Sequence, residues 1–167
     1  MHRSIRSIGE HKRLSQRLVA VLIQAALAVL TAALPNATAA EPGESDCLAL
    51  AMYWEARGGG REAMVAVGWV VLNRMKNPEF PDRACAVVRQ GGEEPPCQFS
   101  YWCDGKVDTP QNDELWSIAR DLAVQMLKKP PSDPTGGALY FHSVDIAIPW
   151  KVHRQRTARI GGHIFYR

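Results

Sequence analysis

The sequence lacks most of the features that assign a chain quickly to a class. It has no C-x-x-C pair and no histidine at ligand spacing from a cysteine, which argues against a zinc site. His142, His153 and His163 do not form a ligand pattern either. There is no internal repeat and no low-complexity stretch. With 46% hydrophobic and 22% charged residues, disorder, collagen and coiled coil are all excluded. The glycine triplet Gly58–Gly60 is followed by Arg61-Glu62 rather than Lys-Ser or Lys-Thr, and no strand precedes it, so it does not cradle phosphate.

The first forty residues differ from the rest. Arg3, Arg6, Lys12, Arg13 and Arg17 stand against a lone Glu10, Leu18 to Leu34 is apolar but for Gln24 and Thr31, and Ala37-Thr38-Ala39 is an A-x-A site. Residues 1–40 therefore read as a signal peptide, with an uncleaved membrane anchor as the alternative. This segment holds five of the 20 basic residues and one of the 17 acidic ones, so residues 41–167 carry 15 against 16 and a net charge of −1. The excess positive charge belongs to the leader, and nucleic acid is not indicated as a partner.

All four cysteines, Cys47, Cys85, Cys97 and Cys103, follow the leader. An even number in an exported, periplasmic chain predicts two disulfides, with three pairings open. Cys97 and Cys103 bracket a short segment that a bond between them would close, contributing roughly 2 kcal/mol in the chain-entropy model.

Residues 41–167 show no dividing linker and read as one domain. Ser45 or Asp46 caps a helix beginning near Cys47, apolar on nearly every face and ended by Gly58–Gly60. A second helix runs from Arg61 to Met75, stopped by Asn77-Pro78, and Asn73-Arg74 at its end reads as structural. Arg83 to Gln90 is a short third helix, and Gly91 to Pro96 is loop. Asp113 to Lys129 has apolar residues at helical spacing, a basic last turn and then Pro130-Pro131. "ALYFHS" and "ARIGGHIFYR" are aromatic-rich, bounded by glycines, and read as strands of a small sheet. The fold class is α+β, mostly helical with a small antiparallel sheet.

Glu55 is the one acidic residue within an apolar run, at the C-terminal end of its helix. Burial and the negative end of the helix dipole both disfavour its charge and raise its pKa, as a general acid near neutral pH requires. An ion pair with Arg57 or Arg61 that merely ties down the helix end is the competing reading. Glycoside cleavage ordinarily uses two carboxylates, and Glu62, Asp104 and Asp145 are candidates for a second, none at a telling spacing. Peptidoglycan removes that need, because the 6-hydroxyl of its muramic acid can attack the anomeric carbon once the leaving oxygen is protonated.

The blocks "AMYWEAR", "AVGWVVLNR", "CAVVRQ", "CQFSYWCDG", "GALYFHS", Pro149-Trp150 and "IGGHIFY" stand in an order and spacing that resemble the cell-wall hydrolases of the spore-cortex-lytic enzyme (SleB-like) type. The resemblance covers nearly all of residues 41–167. It implies a compact catalytic domain similar to lysozyme-like lytic transglycosylases, acting without a cofactor on peptidoglycan glycan strands, with Glu55 matching the catalytic glutamate. One position departs: the family often reads E-A-R-G-E, and here Gly59 replaces the second glutamate, with Glu62 three residues on.

Within these blocks, Gln98 and Ser100 are expected to offer hydrogen bonds to sugar, and Phe99, Tyr101 or Trp102 an apolar platform. Tyr140 and His142 alternate on a strand and so share one face, and Trp150 is a further sugar contact. His163 and Tyr166 match family blocks and read as structural. The expected activity is glycan-strand cleavage yielding 1,6-anhydro-muramoyl ends. The alternatives are a hydrolase with a second carboxylate, a non-catalytic peptidoglycan-binding module, and a zinc amidase whose ligands are not found.

Overall fold

The computed structural model describes residues 43–147 and 153–167. Residues 1–40, read above as a signal peptide, and Trp150 lie outside the described residues.

The apolar segment expected to begin near Cys47 forms helix α1, Glu44–Ala56. It starts a turn early because the Asp46 carboxylate accepts from the Gly43 N–H at 3.2 Å, so the cap is Gly43 rather than Ser45 or Asp46. A 3₁₀ turn, Arg57–Gly59, leads into α2, Gly60–Met75. Gly60 at this elbow has φ 70°, a left-handed conformation that suits glycine. α3 is Ala84–Val88, a second 3₁₀ turn is Ser100–Cys103, and α4 is Asp113–Lys128. The Asn112 side chain caps α4, accepting from the Leu115 N–H at 2.9 Å, a capping role typical of asparagine.

β1 (Tyr140–Ser143), β2 (Arg156–Ile160) and β3 (His163–Tyr166) form an antiparallel sheet in the order β1-β3-β2. "ARIGGHIFYR" is thus two strands, joined at Gly161-Gly162.

α2 has almost no polar face because it is covered on two sides. Met64, Val67 and Val71 join the helical core with Leu48, Met52 and Met126, while Ala66 and Val70 pack with Ala138 and Phe165 beneath the sheet. α4 has a single apolar stripe, with Ala119, Leu122, Ala123 and Met126 buried at i, i+3, i+4 and i+7, as expected of a helix with one side in water.

The structure pairs Cys47 with Cys85 and Cys97 with Cys103. The first bond ties α1 to α3, and the second closes the aromatic loop around Phe99.

Candidate functional site

Glu55 is the penultimate residue of α1. Neither arginine expected as an ion partner reaches it. The Arg57 guanidinium stands 4.6 Å from the Trp54 ring centre and donates to the Tyr53 hydroxyl, while Arg61 donates to the Gln125 side-chain oxygen at 3.5 Å. The ion-pair reading of Glu55 therefore fails.

The Ser100–Cys103 turn supplies its partners instead. The Ser100 hydroxyl donates to Glu55 Oε1 at 3.2 Å, and the backbone N–H groups of Tyr101 and Ser100 are near enough to favour the charged form. A turn's first N–H groups lack partners within the turn, so its start is a ready set of donors. Burial pushes the Glu55 pKa up from the ordinary carboxyl range, and these three donors pull it back only in part. The result is a carboxyl that holds its proton more firmly than an exposed one, yet has donors waiting once the proton leaves.

Two neighbours of Glu55 fix the surrounding segment. The buried Tyr53 hydroxyl accepts from the N–H groups of Gln111 and Asn112 at 3.0 and 3.1 Å, and Trp54 Nε1 donates to the Asp108 carbonyl at 3.4 Å. The chain entering α4 is thus suspended from the two residues preceding Glu55. Asp108 passed unnoticed in the sequence because nothing in its local spacing marks it. Its carboxyl is pushed up by partial burial and by Asp104 nearby.

The other expected site residues divide. Gln98 and Ser100 are exposed beside the turn, and Trp102 is partly buried with the Arg89 guanidinium 4.8 Å from its ring centre. Phe99 requires correction: it is 1% exposed, packs against Phe141 and lies near the Arg74 guanidinium. Its ring serves the core and offers no platform to a sugar. Tyr101 is likewise buried, and its hydroxyl is raised by burial and by the carboxylates of Asp108 and Glu55.

Tyr140 and His142 do share a face of the sheet, together with Tyr166 opposite Tyr140. His142, however, is buried, with Nδ1 on the Ser143 carbonyl at 2.7 Å and Nε2 on the Tyr166 hydroxyl at 3.0 Å. That occupies both ring nitrogens, so His142 braces the sheet instead of reaching sugar. Tyr140 is partly buried, with Arg154 3.4 Å from its ring centre.

Arg74, which the sequence presents as a plain helix end, is 3% exposed. Its Nε donates to the Leu139 carbonyl at 2.8 Å, and burial brings its pKa down to about 10. The neighbouring Asn73 donates to Asp133 and to the Ala138 carbonyl. Both join α2 to the chain leading into β1.

Of the carboxylates considered as second acids, Asp104 pairs with Lys106 at 3.2 Å, Asp145 sits in an exposed turn with Ser143, and Glu62 is exposed on α2. The departure at Gly59 has a steric cause in this chain. A Cβ there would meet the Ala63 Cβ at 2.6 Å, too close for a side chain, and would touch the Gly161 backbone at an ordinary contact distance of 3.7 Å.

Among the described residues no group of three His, Cys, Asp or Glu is placed to hold a metal ion, and no helix is long and apolar enough to cross a membrane.

A mostly helical α+β domain with a small antiparallel sheet has close counterparts among solved structures. The chain aligns with the catalytic domain of the Bacillus cereus SleB protein at TM-score 0.57 and 31% identity, covering 74% of this chain and 89% of that one. The catalytic domain of the germination-specific lytic transglycosylase SleB from Bacillus anthracis aligns at TM-score 0.57 and 31% identity, over 80% and 100%. The family described as Cell Wall Hydrolase matches residues 58–166, and the chain belongs to that family. Similar curated proteins are the spore cortex-lytic enzymes of Bacillus subtilis, 35% identical over 119 residues, and of Halalkalibacterium halodurans, 35% identical over 136 residues. These alignments cover 71% and 78% of this chain but 35% and 38% of those proteins, so the chain spans little more than a third of their length. The family match begins three residues after Glu55, and the role of Glu55 is argued from its geometry.

Proposed function

We propose that this protein is an enzyme that cleaves the glycan strands of peptidoglycan as a lytic transglycosylase, with Glu55 acting first as acid and then as base. The observation that carries this reading is the Glu55 carboxyl itself, half-buried at a helix end, without an ion pair among the described residues and hydrogen-bonded by the Ser100 hydroxyl at the start of the facing turn. Protonated Glu55 gives its proton to the glycosidic oxygen as the C1–O bond breaks. The muramoyl 6-hydroxyl oxygen then bonds to C1, and its proton passes to the Glu55 carboxylate. No water is consumed, and the enzyme returns to its starting protonation state. Ser100 and the two N–H groups stabilise the carboxylate between these steps, an electrostatic role aimed at the charge that develops. Membership of the cell wall hydrolase family and the names of the similar proteins support peptidoglycan as substrate. An exported, periplasmic location accords with such a substrate.

Hydrolysis is the second reading, favoured by the position of Asp108. The Trp54 indole holds its backbone carbonyl, and, beyond the effect of burial, its carboxylate and that of Glu55 both lie near enough to Tyr101 to raise its hydroxyl, a position that suits a base that activates water. Mass spectrometry of fragments from wild type, Glu55→Gln and Asp108→Asn separates the two. Transglycosylation gives anhydro ends that survive Asp108→Asn and vanish in Glu55→Gln. Hydrolysis gives products one water heavier that require both carboxyls.

A further inference from the structure

A cavity of about 440 Å³ lies beyond the glycine elbow, between the start of α2, the second half of α4 and the end of β2. Val65, Leu122 and Ile160 form apolar walls, and Arg61, Glu62 and Gln125 contribute to a polar rim. None of the chemistry assigned to Glu55 uses it.

Two links join this cavity to Glu55. Arg61 follows Glu55 by six residues, a span of at most roughly 21 Å even if extended. Ile160 immediately precedes Gly161, whose backbone packs against Gly59 at the elbow. Gly58, Gly60 and Gly162 leave open space where side chains would stand, so the backbone around this junction is bare.

We propose that the cavity is a subsite for the peptide stem borne by a muramoyl residue of the strand whose bond lies at Glu55. The inference rests on the glycan-strand reading above. The sugar rings of a glycan strand are neutral and rich in hydroxyls, and where a stem is attached the muramoyl lactyl carboxyl is tied up as an amide, so the rings have little use for adjacent opposite charges. Its peptide stem has small apolar side chains, free carboxylates and, at a diamino acid, a free amine. The Arg61 guanidinium presents a fork that fits a carboxylate, and the neighbouring Glu62 carboxylate accepts from an ammonium. The walls of Val65, Leu122 and Ile160 take up methyl groups, which favours binding through apolar burial. Arg61 is only weakly committed elsewhere, since its bond to Gln125 is 3.5 Å long, and a charge-assisted bond would be the stronger partner.

Two measurements on the full chain test this. In the first, methyl-labelled protein is titrated into the millimolar range with the stem peptide L-alanyl-γ-D-glutamyl-diaminopimelyl-D-alanine. The expected result is shifts at the Val65, Leu122 and Ile160 methyls, weakened about tenfold by Arg61→Glu, the size expected for losing a charged hydrogen bond. With the alanine N-terminus acetylated throughout, as its amide bond on the strand requires, acetylating the diaminopimelyl amine as well should weaken binding similarly. In the second, kcat/KM is compared on glycan strands with their peptides and on strands stripped by an amidase. Wild type should favour the peptide-bearing strands by about tenfold, and Arg61→Glu should bring that ratio close to one. Absence of shifts at those methyls, or a ratio of one in wild type, overturns the subsite. Shifts at those methyls without cleavage of either strand would uphold the subsite and count against the glycan-strand reading instead.

Discussion

At the scale of the residue, the proposed chemistry turns on how firmly Glu55 holds its proton. Burial raises its pKa and three donors lower it, so removing one donor should move the balance in a known direction. Ser100→Ala deletes the hydroxyl that favours the charged form, and the Glu55 pKa should rise further. The high-pH fall in kcat/KM, where the acid is lost, is then expected at higher pH than in wild type. A stability consequence follows from the same elevation. A carboxyl with a folded pKa above its unfolded value binds more protons in the folded state, so its contribution fades as pH rises through that interval. Glu55→Gln should therefore melt at or above the wild-type temperature at pH 7, with the comparison shifting toward wild type as the pH falls below the carboxyl range. Thermal melts across that range measure the trend. Cleavage by Glu55→Gln should fall by at least about 10²-fold, the usual contribution of a positioned general acid.

At the scale of the element, two contacts hold the site in place. Gly59 allows the elbow to meet Gly161, and Ala63 blocks any Cβ there. Gly59→Ala should destabilise the fold by about 1–3 kcal/mol, as overpacking does, and Ala63→Gly in the same chain should recover much of the loss. Chemical denaturation of the single and double variants measures this coupling. The Cys97–Cys103 bond closes the loop that carries Ser100. Replacing both cysteines with serine should cost about 2 kcal/mol and lower turnover, because Ser100 is then held less firmly against Glu55. Much of this architecture was legible in sequence. Helical spacing marked α4, the glycines marked the elbow, and the aromatic blocks marked the strands. Legibility failed where local pattern carries no information about depth. Phe99 stands among polar residues and reads as a surface aromatic, but the closed loop turns it into the core. His142 alternates with Tyr140 as expected, yet Tyr166, twenty-four residues on, occupies its ring. Asp108 gains its interest only through Trp54, fifty-four residues earlier.

At the scale of the whole molecule, α2 is the organising element, with one side in the helical core and another beneath the sheet. The buried Arg74 and Asn73 at its end hold the chain entering β1, while its start forms the elbow beside Glu55. This arrangement sets one half-buried carboxyl against a hydroxyl donor from a loop distant in sequence. The most direct test of the account is the mass of soluble fragments released from purified peptidoglycan by wild type beside Glu55→Gln. The account predicts 1,6-anhydro-muramoyl ends from wild type and none from the variant. Reducing ends one water heavier from wild type, or anhydro ends that persist in Glu55→Gln, would contradict it.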